Sequence, residues 1–187
     1  MTFFETQRLL GKSLSLDDYL QLEQGIEPTW MAEINSYRHL ITNPGPLPYR
    51  IPRVKSNPEF AKIGLVLTIE KSTGQIIGSA GFHDFPKDLG MIEIGFEIVA
   101  ERQNQGFGAE LLHGMWRAIC QRQDVKVLRY TVSPQNAPSL HIIQKLNFAL
   151  IGEQIDPEDG IELIYEMSKS EYISKTQPQE LPITPKP

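Results

Sequence analysis

Residues Met91 to Leu112 narrow the fold more than any other part of the chain. Met91–Ile98 alternates, with Ile92, Ile94, Phe96 and Ile98 on one face and Glu93 and Glu97 on the other. That is the period of a half-buried strand. A polar turn follows from Ala100 to Gln105. Gly106-Phe-Gly108 then opens a segment, Gly106 to Arg122, whose Leu111, Leu112, Met115, Trp116, Ile119 and Cys120 form one face of a helix. A strand, a glycine turn and an amphipathic helix in that order require a sheet with the helix laid on it. The junction also carries a chemistry. The first N–H groups of a helix have no partner within it, and the helix dipole adds positive charge there. Glycine lets an anion approach without meeting a Cβ. Gln103, Asn104, Gln105, Gly106, Phe107, Gly108 and Ala109 are therefore read as a phosphate cradle. The plain alternative is a tight turn. A dinucleotide fingerprint is a poorer match, because Gly106-x-Gly108-x-x-Leu111 lacks its third glycine and the flanking strands are not a βαβ series.

The remaining segments supply that sheet. Thr6–Leu14 reads as a first strand. Ser15 can cap a helix running to about Gly25, with Asp17 and Asp18 in its first turn. A second helix is predicted from Pro28 to about Leu40, where Trp30, Met31, Ile34, Tyr37 and Leu40 recur at helical spacing. Asn43–Pro58 holds Pro44, Pro46, Pro48, Pro52 and Pro58 and reads as a long loop. Its Arg50, Arg53 and Lys55 either hint at an acidic acceptor or are simply solvated. Ile63–Glu70 and Gln75–Phe82, joined by Lys71-Ser-Thr-Gly74, read as a β-hairpin that continues into Met91–Ile98. A strand at Val125–Val132 and a helix at Asn136–Leu146 follow, with Asn147 at the left-handed helix end. Strands at Phe148–Gly152 and Ile161–Met167 flank a turn, Asp156–Gly160. The apolar pattern stops near Ser170, so residues 1–169 read as one domain and 170–187 as a Pro-rich, disordered tail.

Composition restricts the partners. The chain has 187 residues, 40% hydrophobic, with a formal net charge of -5. That size fits one domain. The charge argues against broad nucleic-acid binding. One cysteine, Cys120, allows no intramolecular disulfide and fits a reducing compartment. No signal-like segment or membrane-length apolar run is visible, so a cytoplasmic protein is expected, without membrane partners and as a monomer or homodimer. No cluster has metal-ligand spacing, so no metal is expected.

Gln103-Asn-Gln-Gly106-Phe-Gly108 resembles the pyrophosphate motif of the GCN5-related N-acetyltransferase (GNAT) superfamily. Asn136-Ala-Pro-Ser139 followed by Lys145-Leu-Asn147-Phe148 resembles that family's second signature, with Asn147 in place of the usual glycine. Glu93-Ile-Gly-Phe96 and Thr6-Gln-Arg-Leu-Leu10 are similar to the subgroup of bacterial ribosomal-protein N-terminal acetyltransferases. The resemblance covers roughly residues 6 to 168. It implies a mixed α/β (α+β) fold, a mostly antiparallel twisted sheet of six to seven strands flanked by about four helices, with the fourth and fifth strands splayed. It also implies acetyl-CoA as co-substrate and direct acetyl transfer to a primary amine, either a protein N-terminus or a small molecule.

Site residues follow from residue chemistry and the resemblance together. An amine must lose a proton before it attacks a thioester, and a strand carboxylate can accept it. The resemblance puts that base at about Glu93; the plain reading of Glu93 and Glu97 is an exposed polar face. A backbone N–H of Ile98 or Val99 would polarise the thioester carbonyl and bond the pantetheine arm. Asn136 and Ser139 can simply cap a helix, and the resemblance adds contacts to the coenzyme, with Lys145 a candidate for its phosphates. The tyrosine that protonates the leaving thiolate in many relatives is replaced here by Ile143, and Ser139 is a candidate substitute. His83 either shapes the acceptor pocket or is structural. The different-class alternative to an enzyme is a non-catalytic acyl-CoA-binding sensor or scaffold module.

Overall fold

The structure, a computed structural model, describes residues 1–157 and 160–176. Eight strands form one sheet: β1 Thr2–Glu5, β2 Leu9–Ser13, β3 Val66–Glu70, β4 Ile76–Phe82, β5 Met91–Ile98, β6 Val127–Val132, β7 Ala149–Asp156 and β8 Gly160–Ser168. Their order is β1-β2-β3-β4-β5-β6-β8-β7. Every neighbouring pair is antiparallel except β5–β6. Antiparallel neighbours can be joined by a short turn, whereas a parallel neighbour needs a crossover. Helix α5, Phe107–Ile119, provides that crossover. The mixed, mostly antiparallel sheet agrees with the expected fold class; it has one strand more than the expected maximum, because Thr2–Glu5 forms its own hairpin with β2.

The sheet is covered on both faces. Phe82 and Trp116 pack at 5.9 Å, and Trp116 stacks on Phe148 at 6.0 Å. This fixes the Ile92, Ile94 and Phe96 side of β5 as the face beneath α5. Helix α6, Ala137–Lys145, buries Ile143 in the same layer, and α7, Lys169–Thr176, buries Tyr172 beside His113 of α5. The opposite face, on the Glu93 side, is covered over β2–β5 by α1 Leu16–Glu23, α3 Leu47–Ser56 and the short α4 Ala61–Gly64. Close approach there is literal: a Cβ on Gly81 would lie 2.0 Å from the Gly64 carbonyl oxygen.

Local rules explain most boundaries. Ser15 accepts from Asp18 N while Asp18 accepts from Ser15 N, a complete capping box for α1. Asn136 caps α6 through Ser139 N at 3.2 Å. Asn147 adopts φ 58°, the left-handed helix end expected from its sequence position.

Three expectations are corrected. The Pro-rich Asn43–Pro58 segment is not a loop throughout, since Leu47–Ser56 is helical. Pro46 caps this helix and Pro48 sits in its first turn, where a missing N–H costs nothing. Pro52 forfeits one bond, offset by burial of Leu47, Ile51 and Val54 at i, i+4 and i+7. The helix predicted over Pro28–Leu40 shrinks to α2, Thr29–Ala32. Arg38 and Leu40 take positive φ values of 56° and 63°, and Asn35 is tied to the His39 backbone at both ends of its amide. The packed chain also continues past residue 169, because α7 carries Tyr172 into the core at 2% exposure. Most of the expected tail, residues 177–187, lies outside the described residues, as do residues 158 and 159 of the expected Asp156–Gly160 turn.

Candidate functional site

The site is built where β5 ends. β5 and β6 pair only from Met91↔Val127 to Ile94↔Tyr130, although β5 runs on to Ile98 and β6 to Val132. The two strands part there, which is the expected splay. Successive residues turn their backbone groups to alternate sides of a strand. His83 N donates to Glu93 O, and Val99 N donates to Ile77 O, both at 2.9 Å. Glu93, Gly95, Glu97 and Val99 therefore face β4, while the N–H groups of Phe96 and Ile98 face the gap. The Ile98 carbonyl, on that same side, accepts from Gln103 Nε2 at 2.8 Å. Of the two candidate donors, Val99 is thus already committed to the sheet, and Ile98 is the one that faces the opening.

The Gln103–Ala109 turn lies directly beyond. Asn104 (φ 59°) and Gly106 (φ 80°) are left-handed, and Gly106 takes the N-cap position of α5 without a side-chain cap. The first intrahelical bond, Glu110 N to Gly106 O, is 3.2 Å. The amides of Phe107, Gly108 and Ala109 precede it and have no helical acceptor. A Cβ on Gly108 would stand 3.1 Å from Phe96 and 3.2 Å from Ile142, so this glycine lets α5 settle onto β5 and α6. The side chains of Gln103 and Gln105 are turned to the Ile98 and Glu101 carbonyls. The turn therefore offers backbone rather than side-chain donors.

Two cations were not among the expected site residues. Arg8 donates to the Gln105 carbonyl at 3.0 Å, pairs with Glu110 at 2.6 Å and lies 4.3 Å above the Phe107 ring. Arg102 stands 5.5 Å from the same ring and pairs with the buried Glu70. Burial pushes the Glu110 carboxyl up, but hydrogen bonds from Thr6 and Arg8 together hold it below its usual range. Arg102 directly precedes the glycine turn in sequence, which is a signal for it, whereas Arg8 reaches the turn only through the fold.

On the opposite face of β5, Glu93 is half-buried. Thr131 Oγ1 donates to its Oε1 at 2.6 Å, and His83 Nδ1 lies 3.4 Å from the same oxygen. Burial, then the nearby Arg50, hold the His83 imidazole below its usual value, with Glu93 opposing them. The structure thus brings His83, Thr131 and Glu93 into one cluster, while Glu97 is exposed. A cavity of 210 Å³ adjoins it, lined by Arg50 of α3, Ser79 and Gly81 of β4, His83, and Gly95 and Glu97 of β5.

The α6 residues sit across the splay. Ile143 is fully buried, which makes it a core residue. Ser139 is half-buried and faces Tyr130, whose phenol is pushed up to about 12 by burial while the Ser139 side chain pulls the other way. Tyr130 in turn packs at 5.9 Å from Phe96. Asn136 spends its side-chain oxygen on the helix cap. Lys145 is exposed in the last turn of α6, one turn beyond the Ile142 that meets Gly108. Cys120 is buried, as expected, and its thiol is pushed up to about 11. Among the described residues, no helix is long and apolar enough to cross a membrane.

Known proteins share this fold. A family model described as an acetyltransferase (GNAT) domain matches residues 27–149, well over half of the chain. An uncharacterized N-acetyltransferase p20 of Bacillus licheniformis is 25% identical over 105 residues, covering 56% of this chain and 54% of that protein. The match thus spans about half the length of that curated relative. Among solved structures, a ribosomal-protein-alanine acetyltransferase of Vibrio fischeri superposes with a TM-score of 0.65 at 12% identity, covering 90% of this chain and 97% of the other. An aminoglycoside acetyltransferase in complex with coenzyme A reaches 0.58 at 17% identity, covering 90% and 98%. These structural likenesses establish the fold, and the family match goes further: the chain belongs to the GNAT acetyltransferase family.

Proposed function

We propose that the protein transfers the acetyl group of acetyl-CoA directly to a primary amine. The observation that carries this reading is the parting of β5 and β6 beyond Ile94 and Tyr130. It opens a slot through the sheet between the Gly106 cradle on one side and Glu93 with His83 on the other. The pyrophosphate is assigned to the Gln103–Ala109 turn, where unpaired amides and the helix dipole favour an anion. The thioester carbonyl is assigned to the Ile98 N–H, which would stabilise the oxyanion as it forms. Asn136 and Lys145 are assigned to outer parts of the coenzyme.

The amine nitrogen forms a bond to the acetyl carbon, and the carbon–sulfur bond breaks. The ammonium proton passes to the His83–Glu93 pair, directly or through a water. A His83 held neutral fits that role, because only the unprotonated ring can accept. The new amide nitrogen sheds its second proton, and the leaving thiolate takes one, relayed through a hydroxyl or water, to become the free thiol of coenzyme A. Tyr130 and Ser139 are the hydroxyl groups beside the slot that suit this step, and Ser139 keeps its place as a candidate acid.

The acceptor is a protein N-terminus or a small amine. Thr6–Leu10 and Glu93–Phe96 favour the N-terminal acetyltransferase subgroup, while the likeness to an aminoglycoside acetyltransferase keeps small amines in play. A non-catalytic acyl-CoA-binding module is the second reading, favoured only by Ile143 in the place of the usual acid. Release of free coenzyme A thiol across a panel of amines and N-terminal peptides separates the two. Glu93→Gln is expected to lower kcat by 10²-fold or more, the usual size of a general-base contribution. Near-parental kcat in Glu93→Gln would remove Glu93 from the mechanism.

A further inference from the structure

Resting on the transferase reading above, a feature of the acceptor follows from the three cations of α3. Arg53 pairs with Asp84 at 3.0 Å, and Lys55 pairs with Glu23 at 2.6 Å, both at the surface. Arg50 differs in both respects. It is only 7% exposed, and among the described residues no carboxylate lies within ion-pair distance of it. Its Nε donates to the Gly64 carbonyl at 3.2 Å, which satisfies one of five N–H groups. Burying a guanidinium without a partner anion is strongly unfavourable, so such groups are paired in nearly all folded proteins. Burial first, and then Arg53, hold Arg50 down to about 10, with Tyr19, Glu93 and Asp84 opposing them. It therefore stays charged at neutral pH, and the fold carries an unneutralised cation.

That cation lines the 210 Å³ cavity beside His83. The cross-strand pair Gly81↔Gly95 lines the cavity without side chains of its own, with the Gly64 carbonyl packed against Gly81 and the His83 ring against Gly95. Glu97 borders the cavity, and Glu93 stands behind His83. The cavity is thus polarised, positive on the α3 wall and negative along β5. A volume of this size is below the range typical of drug-sized ligands and suits a small head group.

We propose that the acceptor is a primary amine carrying a nearby carboxylate, with the carboxylate held by Arg50 and the amine directed to His83 and Glu93. Arginine is suited to this because its fork matches a carboxylate with two parallel N–H donors. The carboxylate can come from a free α-amino acid or from an acidic residue next to a peptide N-terminus.

Matched acceptor pairs test the proposal. Thiol release with acetyl-CoA is measured for amino acids against their amides, and for peptides with Asp or Glu second against the same peptides with Asn or Gln. The acidic member is expected to show at least tenfold higher kcat/KM in one of the two sets, and that set identifies the source. In Arg50→Met the preference collapses to within about threefold, while Arg50→Lys retains part of it. Arg50→Met is expected to melt no lower than the parent, since it removes an uncompensated buried charge; if it does not fold, Arg50→Lys carries the comparison. Equal use of acidic and neutral members, or a preference that survives Arg50→Met, overturns the proposal. If no acceptor is turned over, the transferase reading fails, and thermal stabilisation by the same pairs in the presence of coenzyme A still decides the carboxylate question. Stabilisation by the acid but not the amide supports the pocket, and equal stabilisation or none refutes it.

Discussion

Replacing Gly106 by alanine probes the cradle through its backbone alone. A Cβ at this position would meet nothing closer than Arg8 Nη2 at 3.5 Å, an ordinary contact. The cost is therefore conformational, because Gly106 sits at φ 80°, ψ 2°. The left-handed region costs a residue with a Cβ about 1–2 kcal/mol. At about 2–4 °C per kcal/mol for a chain of this length, Gly106→Ala should melt about 2–8 °C lower. Gly106→Asn should lose less than alanine, since asparagine is the side chain that best tolerates this region. The same strain bears on the ligand. If the turn relaxes to relieve it, the Phe107, Gly108 and Ala109 amides lose their shared direction, and about 1.4 kcal/mol of lost interaction is a tenfold weaker Kd for acetyl-CoA. Thermal melting of the parent, Ala and Asn variants, with acetyl-CoA binding measured calorimetrically, reads both effects. An alanine variant that melts with the parent and binds acetyl-CoA equally well would show that neither the left-handed turn nor its amides matter, and would refute the cradle.

Two further outcomes concern the scaffold. His39 is buried against Ser79, with Nε2 2.9 Å from Oγ, and burial lowers its pKa from 6.5 to about 4. The unfolded chain then binds the proton more readily, so this stabilisation is complete above about pH 6.5 and is lost as pH falls toward 4, by about 3 kcal/mol in all. Urea unfolding between pH 4 and 7.5 should show that slope in the parent and a flatter one in His39→Gln; parallel profiles would contradict it. Tyr172→Ala should cost about 3 kcal/mol by emptying the α7 anchor. Tyr172→Phe should cost only about 1 kcal/mol, the size of one hydrogen bond, because its phenol lies 3.1 Å from His113 Nδ1 and 3.4 Å from the His113 carbonyl oxygen. An alanine variant as stable as the parent would mean that α7 is not part of the packed domain.

Some of this architecture was legible in the residues, and the reasons differ from element to element. The Met91–Ile98 alternation and the apolar face of α5 are long periodic signals, and burial follows them closely. Asn136 and Asn147 are read correctly because capping depends on a few neighbouring atoms. Proline density hides the α3 helix because density says nothing of position: Pro46 and Pro48 stand where a helix start accepts them. The Pro28–Leu40 segment shows the converse, since its apolar residues reach the core from turns as well as they would from a helix. The site was half legible. The glycine turn is local, so its residues fall together. The choice between Ile98 and Val99 depends on strand register, and the solitude of Arg50 depends on what α3 packs against. Neither is a property of a short sequence window.

The central claim is that this chain moves an acetyl group from acetyl-CoA to an amine across the slot between β5 and β6. The most direct measurement is mass spectrometry of a carboxylate-bearing amine acceptor incubated with acetyl-CoA and the protein, with free coenzyme A thiol followed in parallel. The account predicts an acceptor heavier by one acetyl group, one thiol released per product, and both slowed by about 10²-fold or more in Glu93→Gln. Tight acetyl-CoA binding with no acetylated product on any amine or N-terminal peptide would contradict it.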